Sequence, residues 1–251
     1  MHIHLITPII TKGLRTLDDV SQLMSDELSI TQSLIETGPA SIECEFDEAM
    51  SVPGIVVEAI KAERAGCDAI IIDCMGDPGM KVAREMVSTP VLGPAETSMH
   101  VAAMLGHRFS VVTVLDAVVP MLENLATVYG VGGKLASVRS IGIPVLEIEA
   151  APERVSDELI KASLEAVEQD GAHAIVLGCT GFLGCADAIS AALNAKGYDL
   201  PVIDPIPATV CMAAGIVRAG LTHSKRTYAP PRSKELAGYP AITEELQGDR
   251  T

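Results

Sequence analysis

Two stretches of the chain decide its fold: "GCDAIIIDCMGDPG" (66–79) and "GAHAIVLGCTGFLG" (171–184). Laid over one another, Gly66 meets Gly171, Ala69 meets Ala174, Cys74 meets Cys179, Gly76 meets Gly181 and Gly79 meets Gly184. Each is a short apolar run of strand length, then a cysteine, then a glycine-bearing turn. The likeness extends outward. Each segment follows a stretch with apolar residues every three or four positions, "PGIVVEAIKAERAG" (53–66) and "SDELIKASLEAVEQDG" (156–171), which predicts an amphipathic helix. The first has Pro53 near its start, and the second has Ser156 or Asp157 as its N-cap. Some twenty residues after each cysteine comes a Pro-Val strand, "PVLGP" (90–94) or "PVIDP" (201–205), leading into a helix that contains Ala-Ala.

Further apolar runs at 3–7 and 110–115 join those at 69–73, 90–92, 174–178 and 201–204 as predicted strands. Strand and helix alternate, which predicts an α/β protein with parallel sheets. The same order occurring twice predicts two pseudo-symmetric lobes, each a parallel sheet flanked by helices, with the site between them. Such lobes often exchange end segments, so lobe one is placed at 1–95 plus 206–222 and lobe two at 96–205. The polar, Pro-rich remainder, 223–251, is expected to form a C-terminal arm over the body or a neighbouring subunit.

Composition supports this reading. In 251 residues 48% are hydrophobic, yet there is no Trp and only three Phe, so the core is aliphatic, as suits strands buried on both faces. A formal charge of −15 argues against nucleic acid and anionic membrane as partners. The start, "MHIHLITPII", lacks signal-peptide features, and no apolar run is long enough to span a membrane. A cytoplasmic location is expected, with the six cysteines as thiols. There is no CxxC pair and no local Cys/His spacing of a zinc site, so neither disulfides nor structural zinc are expected.

In open parallel sheets ligands bind beyond the carboxyl ends of the strands, where Cys74 and Cys179 both fall. Helix N-terminal amides there are expected to lower the thiol pKa. Two thiols facing one crevice could take a proton from one face of a carbon and return it to the other, with no metal or organic cofactor. The unmatched Cys44, Cys67, Cys185 and Cys211 read as core or surface residues. Asp73, where the second segment has Gly178, is expected by strand alternation to point away from Cys74. Asp77 and Pro78 are read as shaping the turn and capping the helix after it, and Glu43 as a helix or salt-bridge residue. Glu96, His100 and His107 are minor candidates near the crevice.

Four runs, "GPASIECEFDEAMSVPG" (38–54), "CMGDPG" (74–79), "SMHVAAMLGHRFSVVT" (98–113) and "VLGCTG" (176–181), together resemble the hydantoin racemases of the aspartate/glutamate racemase superfamily. The resemblance runs from the first strand to about residue 218. It implies cofactor-independent proton transfer between two lobes, with Cys74 and Cys179 as the acid/base pair. It also implies substrate contacts at Thr7, Ser41, Met75, Gly76, Thr180 and Gly181, the amides of Met75–Gly76 and Thr180–Gly181 holding substrate oxygens. One departure is informative: the family's first strand runs into an "NPN" turn, and here Thr7 and Ile9 replace the two asparagines. Gly181 stands where glutamate racemases have a histidine after the second cysteine, which argues against free glutamate.

The expected activity is racemisation of 5-substituted hydantoins or related cyclic ureides such as allantoin, by a homo-oligomer. The alternatives are an aspartate-type amino-acid racemase, a one-cysteine isomerase or decarboxylase, and a two-lobed binding protein without turnover. "GxSxG" and the P-loop pattern are absent.

Overall fold

A computed structural model describes residues 1–232 and 234–248. Strands β1 (His2–Thr7), β2 (Ser29–Leu34), β3 (Ala69–Ile72) and β4 (Val91–Leu92) form one sheet in the order β2-β1-β3-β4. Strands β5 (Phe109–Thr113), β6 (Leu135–Ser140), β7 (Ile175–Leu177) and β8 (Val202–Ile203) form a second in the order β6-β5-β7-β8. All pairings are parallel. The two sheets therefore repeat one topology, as the two cysteine segments predict.

The helices are α1 (Glu45–Arg64), α2 (Met80–Met86), α3 (Pro94–Leu105), α4 (Val119–Val128), α5 (Pro152–Glu168), α6 (Cys185–Ala195), α7 (Pro205–Arg218) and α8 (Pro240–Gly248). Central β3, β5 and β7 are buried along their whole length because helices cover both faces. In the first sheet, Ile6, Ile70 and Ile72 pack on the α1 side with Ile55 and Ala59. Ile3, Leu5 and Ile71 pack on the other face with Ile206, Val210 and Ala213 of α7. Helix α7, late in the chain, thus lies on β1 and β3, while α3 lies against β5 and β7 and packs along α7.

The structure corrects four details. Helix α1 begins at Glu45, so Pro53 lies inside it, leaving one helical hydrogen bond unmade. Gly54 beside it allows close packing, since a Cβ there would fall 2.7 Å from Ile35 Cβ and 2.9 Å from the Thr37 carbonyl. Helix α5 begins at Pro152, a residue preorganised for the first helical turn, so Ser156 and Asp157 are interior and cap nothing. Edge strands β2 ("SITQSL") and β6 ("LASVRS") carry no apolar run, because each has only one neighbouring strand and partial solvent contact. Finally, the arm contains a helix, α8, lying along α1, where Arg64 pairs with Glu245.

The start of the arm is also tied down. Thr222 donates to the Ser88 carbonyl at 2.7 Å, Lys225 to that of Arg84 at 2.7 Å, and the Arg84 guanidinium lies 5.4 Å over the Tyr228 ring. Ser233 and 249–251, also assigned to the arm, lie outside the described residues.

Candidate active site between the lobes

One cavity of about 100 Å³ opens at the carboxyl ends of both sheets. Its wall includes Thr7, Ile9, Arg15, Glu48, Asp73, Cys74, Met75 and Gly76 from the first half of the chain. The second half contributes Val114, Ile148, Gly178, Cys179, Thr180 and Gly181. Thr7, Met75, Gly76, Thr180 and Gly181 are thus brought together with both cysteines. Ser41 is not on the wall; Ile42 occupies that part of it. Glu43 spans the halves, accepting a 2.7 Å hydrogen bond from the Val145 amide.

The thiols are half-buried and their pKa values go up rather than down. For Cys179 burial raises it to about 11, against a hydrogen bond from the Gly181 amide at 3.4 Å that favours thiolate. Burial raises Cys74 well above the usual thiol value, with the Glu48 carboxyl adding to the rise and the Gly76 amide opposing it. The expected lowering fails for a geometric reason. Helices α2 and α6 start at Met80 and Cys185, each six positions beyond its thiol, outside the first-turn reach of a helix dipole. The Gly76 and Gly181 amides face the sulfurs. Among the described residues the Met75 and Thr180 amides have no protein acceptor.

A carboxyl group bears on each sulfur. Asp73 raises the pKa of Cys179, and the carboxyl that most raises its chain neighbour Cys74 is Glu48. The Asp73 Oδ2 accepts from Arg15 Nε at 2.8 Å and from the Thr7 hydroxyl at 3.2 Å, while buried Oδ1 has no partner among the described residues. Arg15 is itself clamped by Asp19, Nη1 and Nη2 each donating at 2.9 Å. Burial pushes the Asp73 carboxyl up and Arg15 pulls it back. The Thr7 hydroxyl is already committed, since it also accepts from Gln32 Nε2 at 2.8 Å. Glu48, from the first turn of α1, presses against the first cysteine turn: a Cβ on Gly76 would lie 1.5 Å from its Oε1. That oxygen is buried without a partner among the described residues, and burial raises the carboxyl to about 8, so it is protonated at neutral pH.

The repeat is instructive where it breaks. Thr113 occupies in β5 the place of Thr7 in β1, and donates to the Gly178 carbonyl at 3.0 Å rather than to a carboxylate. Gly178 stands where the first segment has Asp73, and no side chain fits. A Cβ there would meet Thr113 Cβ at 2.7 Å and the Val112 carbonyl at 2.9 Å. Gly178→Ala is expected to destabilise the protein by about 1–3 kcal/mol, measured by urea denaturation; an unchanged midpoint would show that the strand end shifts freely.

Three minor candidates lie elsewhere. Glu96 pairs with Arg84 at 2.6 Å, His100 bonds the Glu96 carbonyl at 2.7 Å, and the His107 ring lies 6.2 Å from that of His173. Asp77 caps α3 rather than the adjacent α2, accepting from the Ala95 and Glu96 amides at 3.0 and 2.8 Å and from the Tyr129 hydroxyl at 2.7 Å. Arg15 and Glu48 escaped sequence reasoning. The available signals were the Arg15/Asp19 spacing of four and an acid three residues into the helix after Cys44.

Two like α/β lobes closing on one cavity, with a thiol from each, define an enzyme of the two-lobed racemase fold. Residues 15–213 match the family described as Asp/Glu/Hydantoin racemase. The chain is 40% identical to a hydantoin racemase of Rhizobium meliloti over 242 residues, 95% of this chain and 98% of the relative. It is 44% identical to a hydantoin racemase of Pseudomonas sp. (strain NS671) over 202 residues, 80% of this chain and 79% of that one. The structure of allantoin racemase from Klebsiella pneumoniae superposes with a TM-score of 0.87 at 32% identity, covering 95% of this chain and 96% of that one. The chain belongs to the Asp/Glu/hydantoin racemase family and is an isomerase of the racemase class. Among the described residues no helix is long and apolar enough to cross a membrane.

Proposed function

We propose that the protein racemises 5-substituted hydantoins or a related cyclic ureide such as allantoin, with Cys74 and Cys179 as the acid/base pair. The observation that carries this is the pair of thiols, matched by internal repeat, on the wall of one interlobe cavity. One sulfur, as thiolate, takes the proton from the ring carbon next to the carbonyl, and the C–H electron pair moves into an enolate. The opposite thiol returns its proton to the other face and is left as thiolate. The Met75 and Thr180 amides, free of protein acceptors, receive the enolate oxygen. Substrate must lower the thiol pKa, which burial alone holds too high.

Glu48, kept protonated, sets a neutral hydrogen-bonding group rather than a charge beside Cys74. Its pKa, raised from 4.5 to about 8, makes folding stability fall as pH rises across that window, because the unfolded chain releases the proton and the folded one retains it. Glu48→Gln removes this loss. Its melting temperature is expected to equal that of wild type below pH 4.5 and to exceed it by a few degrees above pH 8. A difference independent of pH, read by calorimetry, would refute the assignment.

The lobe division at 95/96 and 205/206 belongs to the same proposal, supported by the packing of α7 on β1 and β3. So does association into a homo-oligomer, supported by exposed Met104 and Leu105 at the end of α3 and Val128 at the end of α4. A cytoplasmic setting, keeping the sulfurs as thiols, completes it. The test is NMR of proton exchange in D₂O at C5 of single-enantiomer hydantoins and allantoin, with optical rotation followed in parallel. Exchange accompanied by loss of rotation is expected; no exchange on any cyclic ureide, alongside turnover of aspartate, would replace the substrate class.

A further inference from the structure

At the opposite end of the first sheet from the cavity, three metal-binding side chains converge. His2 and His4, two apart on β1, face the same side of the sheet as Cys67, which lies just before β3. A donor atom from each lies within 4.8 Å of the others. The Cys67 sulfur is 3.4 Å from His2 Nδ1. Tetrahedral zinc with Zn–S of about 2.3 Å and Zn–N of about 2.0–2.1 Å requires an S···N edge of about 3.5 Å. Hydroxyl groups hold both rings. Nε2 of His2 lies 2.7 Å from the Thr31 hydroxyl and Nε2 of His4 lies 2.9 Å from the Ser33 hydroxyl. His2 can therefore donate from Nε2 to the Thr31 hydroxyl with its Nδ1 lone pair beside the Cys67 sulfur, and His4 can donate from Nε2 to Ser33, the outer-shell pattern that fixes a ligating histidine. The Thr31 hydroxyl also lies 2.8 Å from His4 Nδ1, so ligation through that nitrogen requires the Thr31 side chain to rotate away, which releases His2 Nε2 as well.

We propose that His2, His4 and Cys67 bind one borderline-soft divalent ion of the Zn²⁺ class, stapling β1 to the start of β3. One thiolate and two neutral imidazoles leave the ion a net single positive charge. Glu58, paired with Lys61 at 2.9 Å, acts electrostatically on His4, and Asp68, 4.0 Å from the N-terminal ammonium, acts on Cys67. Three protein ligands leave a fourth position for water. The loop-and-strand separation of 63 to 65 residues between the histidines and Cys67 is why no local spacing reveals the site. The ion takes no part in proton transfer, since His2 and Cys67 stand at the amino ends of strands whose carboxyl ends line the cavity.

Co²⁺ titration of a Cys74→Ser/Cys179→Ser protein tests this with the cavity thiols removed. One equivalent is expected to bind and to give a thiolate-to-cobalt charge-transfer band in the near ultraviolet. Adding Cys67→Ser should abolish the band, and His2→Ala or His4→Ala should weaken binding at least tenfold. Zn²⁺ should raise the melting temperature of the parent but not of these variants. The histidine variants keep the sulfur and give the answer should Cys67→Ser fail to fold, which circular dichroism reports. Absence of the band, or a band and affinity unchanged in the variants, would overturn the site.

Discussion

Cys74→Ser and Cys179→Ser are each expected to lower racemisation of either enantiomer by about 10²–10⁴-fold, the usual contribution of a positioned acid or base. Serine fits the space but is far less acidic than cysteine, and both thiols are already pushed up by burial, Cys179 to about 11. An alkoxide in the same surroundings would not form. In the proposed mechanism each direction needs one sulfur as base and the other as acid, so losing either stops both directions. Polarimetry reads turnover, and exchange in D₂O separates the half-reactions. A variant that still abstracts the proton from one enantiomer, but returns it to the same face, exchanges without losing rotation. Full racemase activity in either variant would sink the two-thiol mechanism and favour chemistry that uses a single cysteine.

Arg15→Met is expected to cost about 3–5 kcal/mol of stability, the range for removing one partner of a buried ion pair. Arg15 has 4% of its side chain exposed, Asp19 3% and Asp73 none, so the substitution strands two carboxylates away from water. The loss is a large part of the roughly 5–15 kcal/mol that holds a folded domain together. It should shrink as pH falls, because protonation removes the stranded charges. Urea denaturation at neutral and acid pH checks both points. A loss under 1 kcal/mol, or one that does not change with pH, would mean that water reaches Asp73 and that the ion pair is not structural. The consequence for the site is direct, since Asp73 raises and Arg15 lowers the pKa of Cys179.

The α/β architecture was legible because buried parallel strands leave a strong local trace. "AIIID" and "AIVLG" are apolar on both faces, and glycines at the helix ends mark the chain reversals. Edge strands leave no such trace. The polar "SITQSL" becomes a strand only because β1 offers it hydrogen bonds, and "LASVRS" only because β5 does. The start of α1 was hidden by Pro53, which local rules place at a helix start and which packing against Ile35 and Thr37 holds inside one.

By itself, then, the sequence determined the two repeated lobes, the family and the pairing of Cys74 with Cys179, since strand burial, turn glycines and an internal repeat are all written in residue order. Only the tertiary structure decided the electrical character of the site. Desolvation depends on everything packed around a group, so burial could raise both thiols although backbone amides nearby favour thiolate. Electrostatic partners are chosen by distance through space. That is why Asp73 acts on Cys179, 106 positions further along, and why Glu48, from helix α1, acts on Cys74.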